Sequence, residues 1–259
     1  MDQNKLGSYD RFGYSWDRFS DITQDQLDQF DGWTSLVPKS SWHGKNVLDV
    51  GCGAGRNSFA ILSNGALSCT SIDLDQRSLS RAKQNLAGFT NSRVMELSIY
   101  ESNFVNVFDI AVCIGVLHHL SNPKLALQKM CDSVKSGGLV LIWVYGSENL
   151  HWYIKIMDPL RKYFFSRIWL PFVYFLAVFP TIFLYIFTRL FKSNISYLQK
   201  MKLYKFKHIH HILFDQMIPL IANYWTEAEV IDLLKNAGLV NIKVSSVHDV
   251  SWCAIGTKS

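Results

Sequence analysis

The chain has 259 residues, 49% of them hydrophobic and only 18% charged. That excludes a disordered or low-complexity protein and leaves enough chain for a large core, as one domain with an insertion or as two small ones. The formal charge of +5 is unevenly placed: residues 150–211 hold 10 of the 26 Lys and Arg but 1 of the 21 Asp and Glu, and the remainder is net −4. The same stretch carries 17 of the 36 aromatic residues, so the basicity and the aromaticity belong to one segment.

Five cysteines (Cys52, Cys69, Cys113, Cys131, Cys253) show neither a CxxC pair nor metal-like spacing, and they read as reduced thiols of a cytosolic compartment. The opening MDQNKLGSYDRFGYSW has no apolar run of the kind a secretory signal carries. Residues 1–45 are polar and aromatic, with a helix predicted over Thr23–Phe30, and form an expected N-terminal helical cap.

From residue 46 the texture alternates. Strands are predicted at Lys45–Val50, Ser68–Leu74, Arg93–Ile99, Asp109–Val116 and Leu139–Tyr145, with helices at Arg56–Ser63, Ser78–Leu86 and Pro123–Val134 between them. Strands alternating with helices at this pitch predict an α/β fold with a doubly wound, mostly parallel sheet. After the aromatic block, Thr226 with Glu229 forms a capping box for a helix to Asn236, ended by Gly238. Asn241–Ser246 and Ser251–Gly256 then predict an antiparallel terminal hairpin around His248-Asp249, which completes a seven-stranded sheet. The expected division is 1–45 cap, 46–147 ligand-binding core, 148–222 helical insertion, and 223–259 terminal helix and hairpin.

The segment Val47-Leu48-Asp49-Val50-Gly51-Cys52-Gly53-Ala54-Gly55 is the most informative. Its glycines follow a hydrophobic strand and precede a helix, which permits a tight turn and close backbone approach to a ligand. The spacing is GxGxG rather than the GxGxxG of dinucleotide folds, since Arg56 stands where that pattern needs its third glycine; this argues against a nicotinamide-dependent dehydrogenase. Asp49 suits a cationic amino group, and Asp73, at the end of the next strand, suits a ribose diol.

Together with SIDLD at 71–75, FDIAVCIGVLHHL at 108–120 and VKSGGLVLIWVY at 134–145, this loop resembles the core of class I S-adenosylmethionine-dependent methyltransferases. The resemblance implies a Rossmann-like fold, S-adenosylmethionine as cofactor, and methyl transfer as activity. It implies that Asp49, Gly51, Cys52, Gly53 and Gly55 line the amino-acid and sugar portion, that Asp73 binds ribose, and that Leu74 packs on adenine. Ser98 stands where the family usually has an acidic residue facing adenine, with Ile99 beside it, and Cys113 and Ile114 border the cofactor. The NPPY or DPPY motif of nucleic-acid amino methyltransferases is absent at Cys113-Ile114-Gly115-Val116, so no nucleic-acid partner is expected.

His118 and His119 follow the fourth strand on the carboxyl edge of the sheet, and either is a candidate general base; the alternative is that both pin the loop. Tyr14 and Trp16 are candidate pocket caps. His208, His210 and His211 read as part of a solvated basic stretch, and no metal site is expected. Ile168 to Thr188 has no charge over 21 residues and is bracketed by Arg161, Lys162, Arg167, Arg189 and Lys192. Because the strands after residue 240 must rejoin the sheet begun at residue 46, a single crossing is disfavoured; helices lying in the membrane interface across 160–207 are expected. A dry lid or a homodimer surface is the alternative. The insertion follows the fifth strand beside the site, so it should shape the acceptor pocket, with Asp215, Gln216 and Tyr224 as candidate contacts. The expected protein is cytoplasmic, peripheral to a membrane, and acts on a lipophilic or lipid-linked small molecule at oxygen. Its rivals are a non-catalytic cofactor-binding protein and an RNA methyltransferase.

Overall fold

The β-rich runs form one sheet: β1 (Asn46–Val50), β2 (Ser68–Asp73), β3 (Ser92–Glu96), β4 (Phe108–Ile114), β5 (Val134–Tyr145), β6 (Leu239–Val247) and β7 (Ser251–Lys258). The structure, a computed structural model, describes residues 8–259. The order β3-β2-β1-β4-β5-β7-β6 is parallel up to β5, and β7 pairs antiparallel with both β5 and β6. The predicted seven strands and terminal hairpin are therefore present. His248 and Asp249 make the hairpin turn with φ of 54° and 61°, a left-handed pair that matches the twist of antiparallel strands. β5 begins earlier than the predicted Leu139 and contains a bulge, where the register slips between Phe108↔Val134 and Ile110↔Leu139.

Strand alternation sorts the core into two layers. Leu48, Val50, Ala111, Cys113 and Ile142 face α5 (Pro123–Ser133) and α11 (Glu227–Asn236). Val47, Cys69, Ile110, Val112 and Leu141 face α2 (Gln24–Trp33) and α3 (Arg56–Ser63). Local chemistry sets the helix starts. Asn122 accepts from Leu125 N ahead of Pro123 in α5, and Thr226 and Glu229 form the predicted capping box of α11. Asp75 caps α4 (Gln76–Asn85) by accepting from the amides of Arg77 and Ser78.

Sequence patterning missed α1 (Tyr9–Arg18), a polar and aromatic helix interrupted by Gly13. It exists by docking. A Cβ on Gly13 would stand 2.0 Å from the Asp75 carboxylate, so only glycine lets α1 approach the start of α4. Arg77–Asp10 and Arg81–Asp17 pairs at 2.8 and 2.9 Å fasten the same face. On its other side Arg11 donates to the carbonyls of Ile218 and Phe165, both at 2.8 Å.

The insertion leaves and returns at one point, where Gly146 bridges to Trp225. Its helices are α6 (His151–Pro159), a π-helical turn at Leu160–Phe164, α7 (Leu170–Leu176), α8 (Val178–Leu190), α9 (Ser196–Leu203) and α10 (Phe206–Met217). Phe165, Val173, Ala177, Phe214 and Met217 pack with Phe19, just past α1, into a separate small core.

Candidate active site

A cavity of about 1030 Å³ opens at the carboxyl edge of the sheet, roofed by α1 and walled by the insertion. Open α/β sheets hold ligands at this edge, where strand order reverses; here that is between β1 and β4.

At one end lies the glycine turn. Gly51, Gly53 and Gly55 have φ of 73°, 53° and 80°, which side chains rarely tolerate. The turn is stitched to β2: Gly51 N and Cys52 N donate to the Ile72 carbonyl at 2.8 and 3.0 Å, and Gly53 N donates to Asp73 Oδ2 at 2.9 Å. Asp73 Oδ1 accepts from Leu74 N and Asp75 N at 2.7 and 3.1 Å. The carboxylate is thereby held at the cavity wall with acceptor capacity remaining. Burial raises its pKa, and the backbone donors oppose the rise. Leu74, Ser98, Ile99, Cys52, Gly51 and Ile114 share this wall. These residues fit a nucleoside: an anchored acid for sugar hydroxyls, an apolar slot beside it, and a side-chain-free approach over the turn.

Asp49, Gly53, Gly55 and Cys113 do not reach the wall, contrary to the sequence expectation. Strand alternation points Asp49 under α3, where Oδ2 accepts from Ser58 Oγ at 2.6 Å and Ser58 in turn contacts Ser71 Oγ at 2.8 Å. Burial pushes Asp49 up to about 6, against the opposing Ser58 bond, and its Oδ1 has no hydrogen-bond partner among the described residues. Gly55 serves helix packing: its Cβ would meet Ala82 of α4 at 3.1 Å. A Cβ on Gly53 would stand 3.0 Å from the Trp16 ring, so Trp16 lies directly over the turn and lines the cavity. Tyr14 does not line it; that ring packs on Phe214.

The two neighbouring histidines part company. His119 lines the cavity, and its Nδ1 lies 2.7 Å from the Ile221 carbonyl. A carbonyl only accepts, so Nδ1 carries the proton and Nε2 keeps a lone pair. Burial lowers His119 to about 4, so it is neutral near pH 7 and able to accept a proton. His118 is fully buried off the cavity, with no partner on either ring nitrogen among the described residues, and its backbone carbonyl accepts from Asn223 N at 2.8 Å. It supports the loop.

Beyond His119 the wall becomes aromatic. Tyr145, at the end of β5, stacks with Tyr224 at 5.5 Å and faces His119 edge-on at 5.5 Å. Arg161, turned inward by the π-helical turn, donates to the Tyr224 hydroxyl, and Tyr153 donates to Gln216 Oε1 at 2.5 Å. Asp215, Gln216 and Tyr224 all line this end, with Phe183 and Phe187 of α8. His208, His210 and His211 are buried rather than solvated. They lie on α10, which packs against α1 and α8, and His208 and His211 face the cavity. Among the described residues no cluster of His, Cys, Asp and Glu is arranged to hold a metal ion. Sequence reasoning also missed Arg56 and Asn57, the first residues of α3, which are buried and line the cavity. Their position directly after the glycine turn was the available signal.

A family model described as a methyltransferase domain matches residues 42–161. The chain is 33% identical over 138 residues to a tRNA U34 carboxymethyltransferase of Cronobacter sakazakii, covering 51% of this chain and 41% of that protein. It is 31% identical over 152 residues to a ubiquinone biosynthesis O-methyltransferase of Dechloromonas aromatica, covering 54% and 62%. The chain thus spans less than two thirds of these relatives' length. Among solved structures, magnesium protoporphyrin IX methyltransferase from Synechocystis with bound S-adenosylhomocysteine superposes with a TM-score of 0.59 at 14% identity, over 97% of this chain and 98% of that one. Sheet order, glycine turn and these likenesses agree: residues 42–161 carry a methyltransferase domain, and the fold is that of class I S-adenosylmethionine-dependent methyltransferases.

Proposed function

We propose that the protein transfers a methyl group from S-adenosylmethionine to an oxygen of a lipophilic or lipid-linked small molecule at a membrane surface. The observation that carries this reading is the continuity of one cavity, from Asp73, Leu74, Ser98 and Ile99, past His119, to the aromatic wall built by the insertion. The cofactor, when bound, supplies an electrophilic methyl group on a good leaving group, so the protein's task is alignment and help with one proton. Asp73 holds ribose, Leu74 and Ile99 flank the base, and His119 Nε2 takes the proton of the attacking hydroxyl. Tyr145, Tyr153 and Phe187 exclude water around an apolar acceptor.

The membrane part rests on the helix running from Leu170 to Leu190. It is 21 residues long with a mean hydropathy of 2.1, and by length and composition it could cross a bilayer. Val173, Ala177, Thr181 and Thr188 are buried along one side, while Phe172, Phe175, Phe179, Ile182, Phe183 and Ile186 are exposed. A helix docked on the fold at both ends, with its outer face bare and Lys162, Arg167 and Lys192 near its ends, fits one lying in the interface plane.

Purified protein incubated with methyl-labelled cofactor and a membrane lipid extract should yield a labelled, organic-extractable product; label appearing only in added RNA would overturn the reading. An RNA acceptor is the second reading, favoured by the tRNA-modifying relatives.

A further inference from the structure

Arg56 is 6% exposed, yet it makes no hydrogen bond or ion pair with any described residue. Its guanidinium lies between two indoles, 4.9 Å from the Trp16 ring and 5.3 Å from Trp33. Beside it, Asn57 Oδ1 and His208 Nε2 are also buried without hydrogen-bond partners among the described residues. All three residues line the cavity. The carboxylate whose charge acts most on Arg56 is Asp215 of α10, but it accepts a hydrogen bond from Ser15 instead. A buried cation without a partner is costly, and one facing a cavity is matched when an anion enters. Arg56 also opens α3, and the free amides of a helix start favour negative charge.

We propose that Arg56, Asn57 and His208 form a carboxylate-binding niche between the glycine turn and the insertion. Arg56 supplies a charged fork, the Asn57 amide turns an N–H inward, and the neutral His208 ring donates from Nε2. The carboxylate comes either from the amino-acid end of the cofactor, in which case the niche rests on the cofactor reading above, or from an acidic group on the acceptor. In both cases binding draws together α3, the N-terminal helix through Trp16, and the insertion through His208.

The test compares calorimetric affinities for S-adenosylhomocysteine and for its analogue lacking the carboxylate, in wild type, Arg56→Met, Arg56→Lys and Asn57→Asp. Thermal shift with dodecanoate serves as the acceptor-side probe. For a cofactor carboxylate, wild type should bind the analogue roughly 10- to 100-fold more weakly. Arg56→Met and Asn57→Asp should abolish that gap by weakening S-adenosylhomocysteine alone, and Arg56→Lys should restore part of it. For an acceptor carboxylate, the gap should persist in every variant while dodecanoate raises the melting temperature of wild type and not of Arg56→Met. Without ligand, Arg56→Met should melt no lower than wild type, because an unmatched buried charge has been removed; a lower melting temperature would assign Arg56 a packing role and overturn the niche. An unchanged gap with no dodecanoate difference would also overturn it. A wild type that ignores S-adenosylhomocysteine would instead overturn the cofactor reading, with the dodecanoate arm still deciding the niche.

Discussion

Ser15 of α1 donates to Asp215 of α10 at 2.5 Å, joining residues 200 positions apart across the cavity roof. Asp215 belongs to α10, so this one carboxylate ties the N-terminal helix to the insertion. Ser15→Ala should destabilise the fold by about 1–2 kcal/mol, the cost of a lost bond to a charged group in a partly buried site. Denaturant unfolding measures this. Unchanged stability would mean the two elements do not depend on each other.

Replacing His119 with Ala should lower turnover roughly 100- to 10,000-fold, the range for loss of a general base, while S-adenosylhomocysteine affinity stays within about threefold of wild type. His118→Ala should act differently, lowering stability because the ring fills a fully buried position. Equal kinetic defects in the two variants would contradict the division of roles.

Burial lowers His119 to about 4 and His208 to about 3, and it lowers His118 and His210 as well. Unfolded histidines titrate near 6.5, so below that pH the unfolded chain binds more protons. Stability contributed by these groups is whole above pH 6.5 and is lost as pH falls toward their folded values. Asp49, raised to about 6, works the opposite way between pH 3.8 and 6, and Asp73, also raised by burial, acts in the same sense. The four histidines outnumber the two acids, so the denaturant midpoint should fall from pH 7.5 to pH 5, and His119→Gln should flatten that fall. A midpoint independent of pH would show that these rings are solvated in the native state.

Trp169, Phe172 and Phe175 are 75%, 48% and 53% exposed at the outer face of the insertion. Changing all three to Ser should weaken partition onto anionic vesicles by roughly 100-fold or more, since each large apolar side chain buried contributes about 1.5–3 kcal/mol. The variant should keep its melting temperature. Flotation equal to wild type would place the contact elsewhere.

The sheet was legible because its signals are local. Val47-Leu48 and Ile110-Ala111-Val112 read as buried strands, Thr226 and Glu229 mark a helix start, and Asp73 falls at the strand end that meets the cavity. What escaped depends on the partner surface. Nothing near Gly13 in sequence announces that Asp75 will pack against it, so α1 was missed. Lys205 and Lys207 made the following histidines look solvated, although positions 208, 211 and 215 recur on one helical face, and that face meets the cavity. Asp49 was aimed at the ligand although alternation with Leu48 and Val50 already sent it to the α3 side. Arg56 was weighed only as a missing glycine, because a buried unpaired guanidinium is visible only once its surroundings are built.

Calorimetric titration of S-adenosylhomocysteine into wild type and Asp73→Ala probes the centre of this account most directly, because Asp73 is the acid that the glycine turn holds at the cavity wall. Saturable binding in wild type, weakened roughly 10- to 150-fold by removal of that carboxylate, is the expected result. No heat of binding at millimolar ligand, or equal affinity in the two proteins, would contradict it.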